Sequence, residues 1–341
     1  MTRTNGKRKK INKVTLIVLS VVITLGLVIG GTAMWGVNKF RDLAGGMYEP
    51  LPNGQDSQSG KQNKAKANEL EGFHILILGV DSRDGGAARS DTVMIATVNP
   101  HLEEIMLTSL PRDTYVAVQG RGNTKLNHAM AYGGVPLAKE TVERFLGIKV
   151  DHYLTIDFNG FQDAIDVLGG VYIDVERPMR YYDPTDGTNI NIRAGYQLLD
   201  GKNALDYVRY RSDAEADFGR IRRQQDFIRA VAERATTFTQ VTRVIPFVES
   251  ASKGVRTDIH PSNIEALVRK FFGVRGTSIH SMEIESRSYI GTDGLWYVEI
   301  KQAERNRIGR ALDEFKNKKP DKALMEQNNS QKNDQESAAS A

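Results

Sequence analysis

The sequence predicts an α/β protein, a central mixed β-sheet flanked by helices (α/β/α), carried behind an N-terminal transmembrane helix. Three features lead to this class. Short apolar runs bounded by Gly, Pro and Asp interleave with stretches of helical periodicity through the middle of the chain. One apolar run near the N-terminus is long enough to cross a bilayer. The 341 residues, 40% apolar and 26% charged, have ordinary globular composition and can bury a real core. Collagen-like, coiled-coil-only and wholly disordered classes are thereby removed.

Residues 1–13 form a basic cytoplasmic tail. Arg3, Lys7, Arg8, Lys9, Lys10 and Lys13 are six of the 46 bases of the chain, and no acid lies among them. The formal charge of +4 comes from this tail, because the other 40 bases face 42 acids. Without a basic excess elsewhere, the folded part has no electrostatic warrant for nucleic acid, and none is expected as a partner. Residues 14–35 (VTLIVLSVVITLGLVIGGTAMW) run without a charge for 22 residues, about 33 Å of helix at ~1.5 Å per residue. A cleaved signal peptide would have a shorter apolar region ending in a small-x-small site, and Thr32-Ala33-Met34 is a poor one. The run is therefore read as an uncleaved signal anchor. Basic residues before it orient the N-terminus inward, which predicts a single-pass type II protein of the cell membrane with an extracellular domain.

Residues 36–71 are expected to be a flexible stalk, since 41–71 are rich in Gly, Asn, Gln, Ser, Lys and Pro. Residues 72–316 are expected to form the folded domain, and 317–341 a disordered polar tail. Within the domain, 73–80 (FHILILGV) reads as a buried strand, and 91–98 and 104–110 as two more joined by an Asn99-Pro100 turn. Residues 126–132 and 137–146 read as helices, 150–158 as a strand, 163–168 as a helix stopped by Gly169-Gly170, and 171–175 as a strand. Helices follow over 203–210, 220–235 and from about 242. Short strands within 281–290 and 295–300 precede a last helix over 303–315.

The chemistry-bearing residues are carboxylates and arginines. There is no cysteine, so disulfides, thiolate metal sites and a Cys nucleophile are excluded. The six histidines have no metal-ligand spacing, and no GxSxG elbow or phosphate-binding P-loop occurs. Asp81 and Arg83 follow the strand 73–80, and Arg89 and Asp91 open the next one. If those strands are neighbours, both carboxylates meet at one sheet edge and suit a hard cation such as Mg²⁺. Strand-end aspartates that merely cap backbone N–H groups are the alternative. Pro111 fixes the direction of Arg112, with Asp113 beside it. Arg209, Arg211, Arg220, Arg222 and Arg223 lie within fifteen residues with no Lys among them. Arg220, Arg223 and Gln224 share a helix face by spacing. Guanidinium forks match phosphate oxygens in pairs, though a helix ion-paired with Asp206, Asp213 and Asp217 would explain them equally. Acids for a metal and arginines for a multiply charged anion, outside a membrane, suggest a lipid-linked pyrophosphate.

These stretches resemble the LytR-CpsA-Psr family of cell-envelope proteins. The resemblance is carried by LGVDSR (78–83), RSD (89–91), SLPRDT (109–114), KLNHAMAYGG (125–134), DFNGF and LGGV (157–161 and 168–171), LLDGKNALDYVRYR (198–211) and DFGRIRRQ (217–224). The resemblance implies a phosphotransferase that moves a glycopolymer, commonly wall teichoic acid, from an undecaprenyl-pyrophosphate carrier to the C6 hydroxyl of peptidoglycan N-acetylmuramic acid. By position, Asp81 and Asp91 would bind Mg²⁺. Arg83, Arg89, Arg112, Arg209, Arg211, Arg220, Arg223 and Gln224 would hold the pyrophosphate. Arg112 and Asp113 are the candidate catalytic pair, and the prenyl chain would lie in an apolar tunnel between sheet and helices. Capsule or another glycan is an alternative donor. A non-catalytic binder of lipid-linked glycan would need neither both acids nor the full arginine set.

Overall fold

Alternation along the first strands decides which side chains face which layer. The computed structural model describes residues 38–51, 71–80, 90–184, 187–210, 216–235, 241–271 and 275–320. Helix α1 covers residues 38–47. Strands β1 (Phe73–Val80), β2 (Ser90–Asn99) and β3 (Glu104–Leu110) follow as an antiparallel meander. A small hairpin of β4 (Tyr115–Val118) and β5 (Gly122–Lys125) leads into α2 (Leu126–Leu146), β6 (His152–Asp157) and α3 (Phe158–Leu168). Then come β7 (Val171–Val175), the hairpin β8 (Met179–Asp183) and β9 (Thr188–Ile192), and β10 (Gly195–Leu199), which pairs with β7. Helices α4 (Gly201–Arg209), α5 (Ala216–Ala235) and α6 (Val241–Gly254) precede β11 (Val255–Thr257) and α7 (Pro261–Phe271). The chain closes with β12 (Ile279–Met282), β13 (Arg287–Ile290), β14 (Trp296–Glu299) and α8 (Gln302–Asn317).

The main sheet has the order β11-β6-β1-β2-β3-β12. It is mixed, with β1 parallel to β6 and β3 parallel to β12. Leu76, Leu78, Val93 and Ile95 point to one face, where they pack with Ala129, Val142 and Phe145 of α2 and Ile308 and Leu312 of α8. Ile75, Ile77, Met94 and Ala96 point to the other, toward Ile228 and Ala232 of α5. The predicted class, a mixed sheet between helical layers, is what the fold contains. A third cluster joins the small strands β7–β10 to α3, α4 and α5 through Ile165, Val171, Met179, Ala204 and Phe227.

Three expectations need correcting. The stalk does not begin at residue 36 as read: Phe40, Ala44 and Met47 of α1 are buried against Val248 of α6 and Val255 of β11. Tyr48 then bridges to Thr257, and Glu49 N–H donates to the Thr257 carbonyl at 2.8 Å. Polar composition hid an i, i+4, i+7 apolar stripe. The strand read as 150–158 stops at Asp157, whose carboxylate accepts from Gly160 N–H at 2.8 Å and starts α3 five residues earlier than predicted. At the other end, residues 317–320 are docked, because buried Asn99 donates through Nδ2 to the carbonyls of Phe315 (2.7 Å) and Lys318 (2.9 Å). The anchor 14–35, the tail 1–13, residues 52–70 and residues from 321 onward lie outside the described residues. Among the described residues no helix is long and apolar enough to cross a membrane.

Candidate active site

The ends of β1, β3 and β6 and the start of β2 lie along one edge of the sheet, and the polar residues of interest converge there. Val80 pairs with Ser90, so β1 and β2 are the neighbours the spacing required, and Asp91 stands at that edge. Its carboxylate Oδ1 accepts a close hydrogen bond from Arg112 Nη1. Arg112 is fixed by its turn. Thr114 N–H and Oγ1 both donate to the Pro111 carbonyl, at 3.0 and 2.6 Å. Asn127 N–H, in the first turn of α2, donates to the Arg112 carbonyl at 3.0 Å. Asp113 takes Lys125 Nζ at 2.7 Å and Arg112 Nε at 3.4 Å.

Behind this edge lies a cavity of about 430 Å³. Its floor is the sheet face carrying Ile77, Met94, Leu154 and Ile156, and its walls come from Phe161 and Ile165 of α3, Phe227 and Val231 of α5, and Phe247 of α6. The β8–β9 hairpin closes one side with Tyr181, Thr188 and Ile190. The polar lining is Asp91, Thr92, Arg112, Asp157, Arg209, Arg220 and Gln224. The guanidinium of Arg209 lies over the Phe158 ring, 4.6 Å from its centroid. Gln224 Nε2 donates to Thr92 Oγ1 at 3.0 Å and to the Val208 carbonyl at 3.3 Å, tying α5 to β2 and α4. A greasy interior that ends in guanidinium groups is built for an amphipathic anion.

The structure separates the predicted arginines. Arg112, Arg209 and Arg220 reach the cavity together with Gln224. Arg223 is not among its lining residues. It is fully buried, donating from Nη1 to Glu176 at 3.3 Å and from Nη2 to the Tyr210 carbonyl. Arg222 is exposed and pairs with the same Glu176 at 2.9 Å. Burial pushes the neighbouring Tyr207 hydroxyl up to about 12, with the carboxylates of Asp226 and Glu176 adding to it, so the phenol stays neutral. Asp113 likewise does not line the cavity. Asp81, Arg83, Arg89 and Arg211 lie outside the described residues. Sequence reading missed Thr92, Asp157 and the β8–β9 hairpin. Asp157 was findable, since an Asp standing directly before an apolar run of helical periodicity (Phe158, Phe161, Ile165) is a helix-cap signal.

Asp91 offers oxygen donors only, as does Asp81 by chemistry. Such a set suits Mg²⁺, which takes one or two protein carboxylates and completes its shell from water and phosphate. No group of three His, Cys, Asp or Glu side chains able to cage a metal occurs among the described residues.

The LytR_cpsA_psr family profile matches residues 45–314. The chain belongs to the LytR-CpsA-Psr family. Its relatives in that family include the polyisoprenyl-teichoic acid–peptidoglycan teichoic acid transferase TagU of Oceanobacillus iheyensis, 32% identical over 320 residues, covering 92% of this chain and 98% of that one. The crystal structure of B. subtilis TagV shares the LytR-CpsA-Psr fold with a TM-score of 0.65 at 30% identity, over 73% of this chain and 99% of that chain. A structure of TagT bound to LI-WTA matches with a TM-score of 0.62 at 25% identity, over 79% and 99% of the two chains.

Proposed function

We propose that this protein is a transferase that moves a glycopolymer, wall teichoic acid foremost, from an undecaprenyl-pyrophosphate carrier to the C6 hydroxyl of N-acetylmuramic acid in peptidoglycan. The observation that carries the reading is the amphipathic cavity: apolar walls for a prenyl chain end at Arg112, Arg209 and Arg220 beside Asp91. The names of the relatives and of the TagT complex support the choice of donor and acceptor. The anchor over 14–35 would tether the domain at the outer face of the membrane, where both substrates meet.

The acceptor oxygen attacks the phosphorus that bears the glycan. The bond to the bridging pyrophosphate oxygen breaks, and prenyl phosphate departs with the electron pair. A phosphodiester forms and the hydroxyl proton is released. Charge grows on the leaving and equatorial oxygens, so preorganised donors supply most of the acceleration. Arg112, aimed by the Pro111 turn, is placed for the equatorial oxygens, while Arg209 and Arg220 hold the diphosphate and Gln224, its amide N–H groups spent on Thr92 and the Val208 carbonyl, braces the wall beside them. Mg²⁺ held by Asp81 and Asp91 would neutralise further charge on the two phosphates. Asp113, already engaged by Lys125 and Arg112, acts as a positioning residue for Arg112. Arg223 supports the wall by holding Tyr210 and Glu176.

The test is transfer of labelled lipid-linked polymer to peptidoglycan sacculi by the full chain in detergent, with and without Mg²⁺. Mg²⁺-dependent formation of a phosphodiester-linked product is expected. Release of prenyl phosphate without any linkage to sacculi would refute the acceptor assignment.

A further inference from the structure

A row of aromatic rings adjoins the Arg112–Asp113 turn through Lys125. Tyr115 of β4 and Lys125 of β5 are cross-strand partners and share a face of their hairpin. β14 lies against the start of β4, with Val298 N–H donating to the Asp113 carbonyl at 2.9 Å. This brings the Tyr297 ring edge-on to Tyr115, centroids 5.1 Å apart, with Lys125 Nζ 5.5 Å from the Tyr297 centroid. Tyr289, the cross-strand partner of Tyr297, stacks on it at 5.8 Å. Tyr297 is buried between its neighbours and its hydroxyl donates to Asp293 at 2.6 Å. Tyr115 stays 42% exposed, enough to offer a ring to a ligand. A chain of contacts therefore runs from Asp91 through Arg112, Asp113 and Lys125 to the tyrosines.

We infer that this tyrosine shelf, Tyr115 and Tyr289 resting on Tyr297, is a binding surface for the acceptor polysaccharide strand. The identity of that strand rests on the transfer reading above. A pyranose has an apolar C–H face and a rim of hydroxyls. Tyrosines supply the matching flat apolar body with a polar edge. Lys125, Asp293 and the cross-strand pair Arg287 and Glu299 supply partners for the hydroxyl rim. The same ionic groups oppose insertion into lipid, because each would have to be desolvated. The location also fits the traffic at the site. A carrier chain filling the cavity leaves the outer side of the Arg112–Asp113 turn as the route for a hydroxyl to reach phosphorus.

The experiment uses the full chain in detergent and peptidoglycan sacculi stripped of anionic polymer, scored by cosedimentation. Wild-type protein is expected to pellet with sacculi. Tyr115→Ala with Tyr289→Ala should lower retention about tenfold, the loss expected of two modest ring contacts, while Tyr115→Phe with Tyr289→Phe retains most of it. Thermal unfolding of both double variants reports whether the fold survives. In the transfer assay the alanine pair should raise KM for sacculi with little change in kcat. Unchanged retention by the folded alanine pair overturns the shelf. So does a loss that appears with anionic lipid vesicles instead of sacculi, which would make the row a membrane contact. Sacculus binding that depends on the tyrosines in a chain that transfers nothing supports the shelf and counts against the transfer reading alone.

Discussion

Arg112 is held from three directions: its side chain by Asp91 and Asp113, its turn by Thr114, and its carbonyl by the first turn of α2. Such a group does little for stability, because the Asp91 side chain is 44% exposed and exposed ion pairs contribute about 0–1 kcal/mol. Arg112→Ala should therefore leave the melting temperature within a few degrees while transfer falls by about 100-fold or more, the usual cost of one transition-state donor. Normal attachment of polymer in a strain carrying only that variant would count against its role. Arg223 should behave in the opposite way. Fully buried and bonded to Glu176 and the Tyr210 carbonyl, it should cost about 3 kcal/mol on change to alanine, measured by denaturant unfolding. Spacing alone put Arg220, Arg223 and Gln224 on one face. It did not separate the two that line the cavity from the one that braces its wall, because an α5 face is divided between the cavity and a carboxylate on the β7–β8 connection that no local pattern announces.

At the scale of elements, glycines decide two junctions. Gly160 in the first turn of α3 and Gly254 at the end of α6 meet backbone to backbone. A Cβ built on Gly254 would come within 2.5 Å of the Gly160 Cα and would strike the Asp157 carboxylate that caps α3. Gly254→Ala should destabilise by about 1–3 kcal/mol through overpacking, read as a drop in thermal midpoint, and should disturb the cavity wall as well. In α2, Gly133 and Gly134 leave helical geometry, Gly134 at φ +63° and ψ −158°, a region reserved for glycine. The sequence already divides that helix at this point, since its two apolar stripes break at the glycine pair. Strands bounded closely by Gly or Pro, such as β1 after Gly72, β3 before Pro111 and β7 after Gly169-Gly170, were legible to the residue. The hairpins β4–β5 and β8–β9 were not, because strands of four or five polar-mixed residues carry too little periodicity.

For the whole molecule, the last helix closes on the first strand through His74. Its ring is fully buried, with Nδ1 at 2.9 Å from Thr97 Oγ1 and Nε2 at 3.2 Å from Asp313 of α8. Burial holds the imidazole below its ordinary value of 6.5, with Asp313 drawing it partly back. The unfolded chain thus takes up a proton as pH falls through 6.5 that folded His74 resists. Stability present above that pH is lost progressively below it. The thermal midpoint should fall between neutral pH and the folded value of His74, and His74→Asn should flatten that part of the curve. The class of fold was readable because buried runs alternate with helical periods. The extent of the domain was not, since α1 joins the core through a fourth cluster, with α6 and β11, that only the tertiary structure assembles.

The chain enters β1 and leaves α8 side by side, with Glu71 and Lys319 3.4 Å apart and Asn99 clasping the exit. This crossing lies at the pole of the sheet away from Asp91, Arg112 and Asp157. A fluorescent protein or affinity handle fused after residue 320 would hang clear of the working end, so catalysis could be followed on an intact, visibly labelled enzyme in living cells.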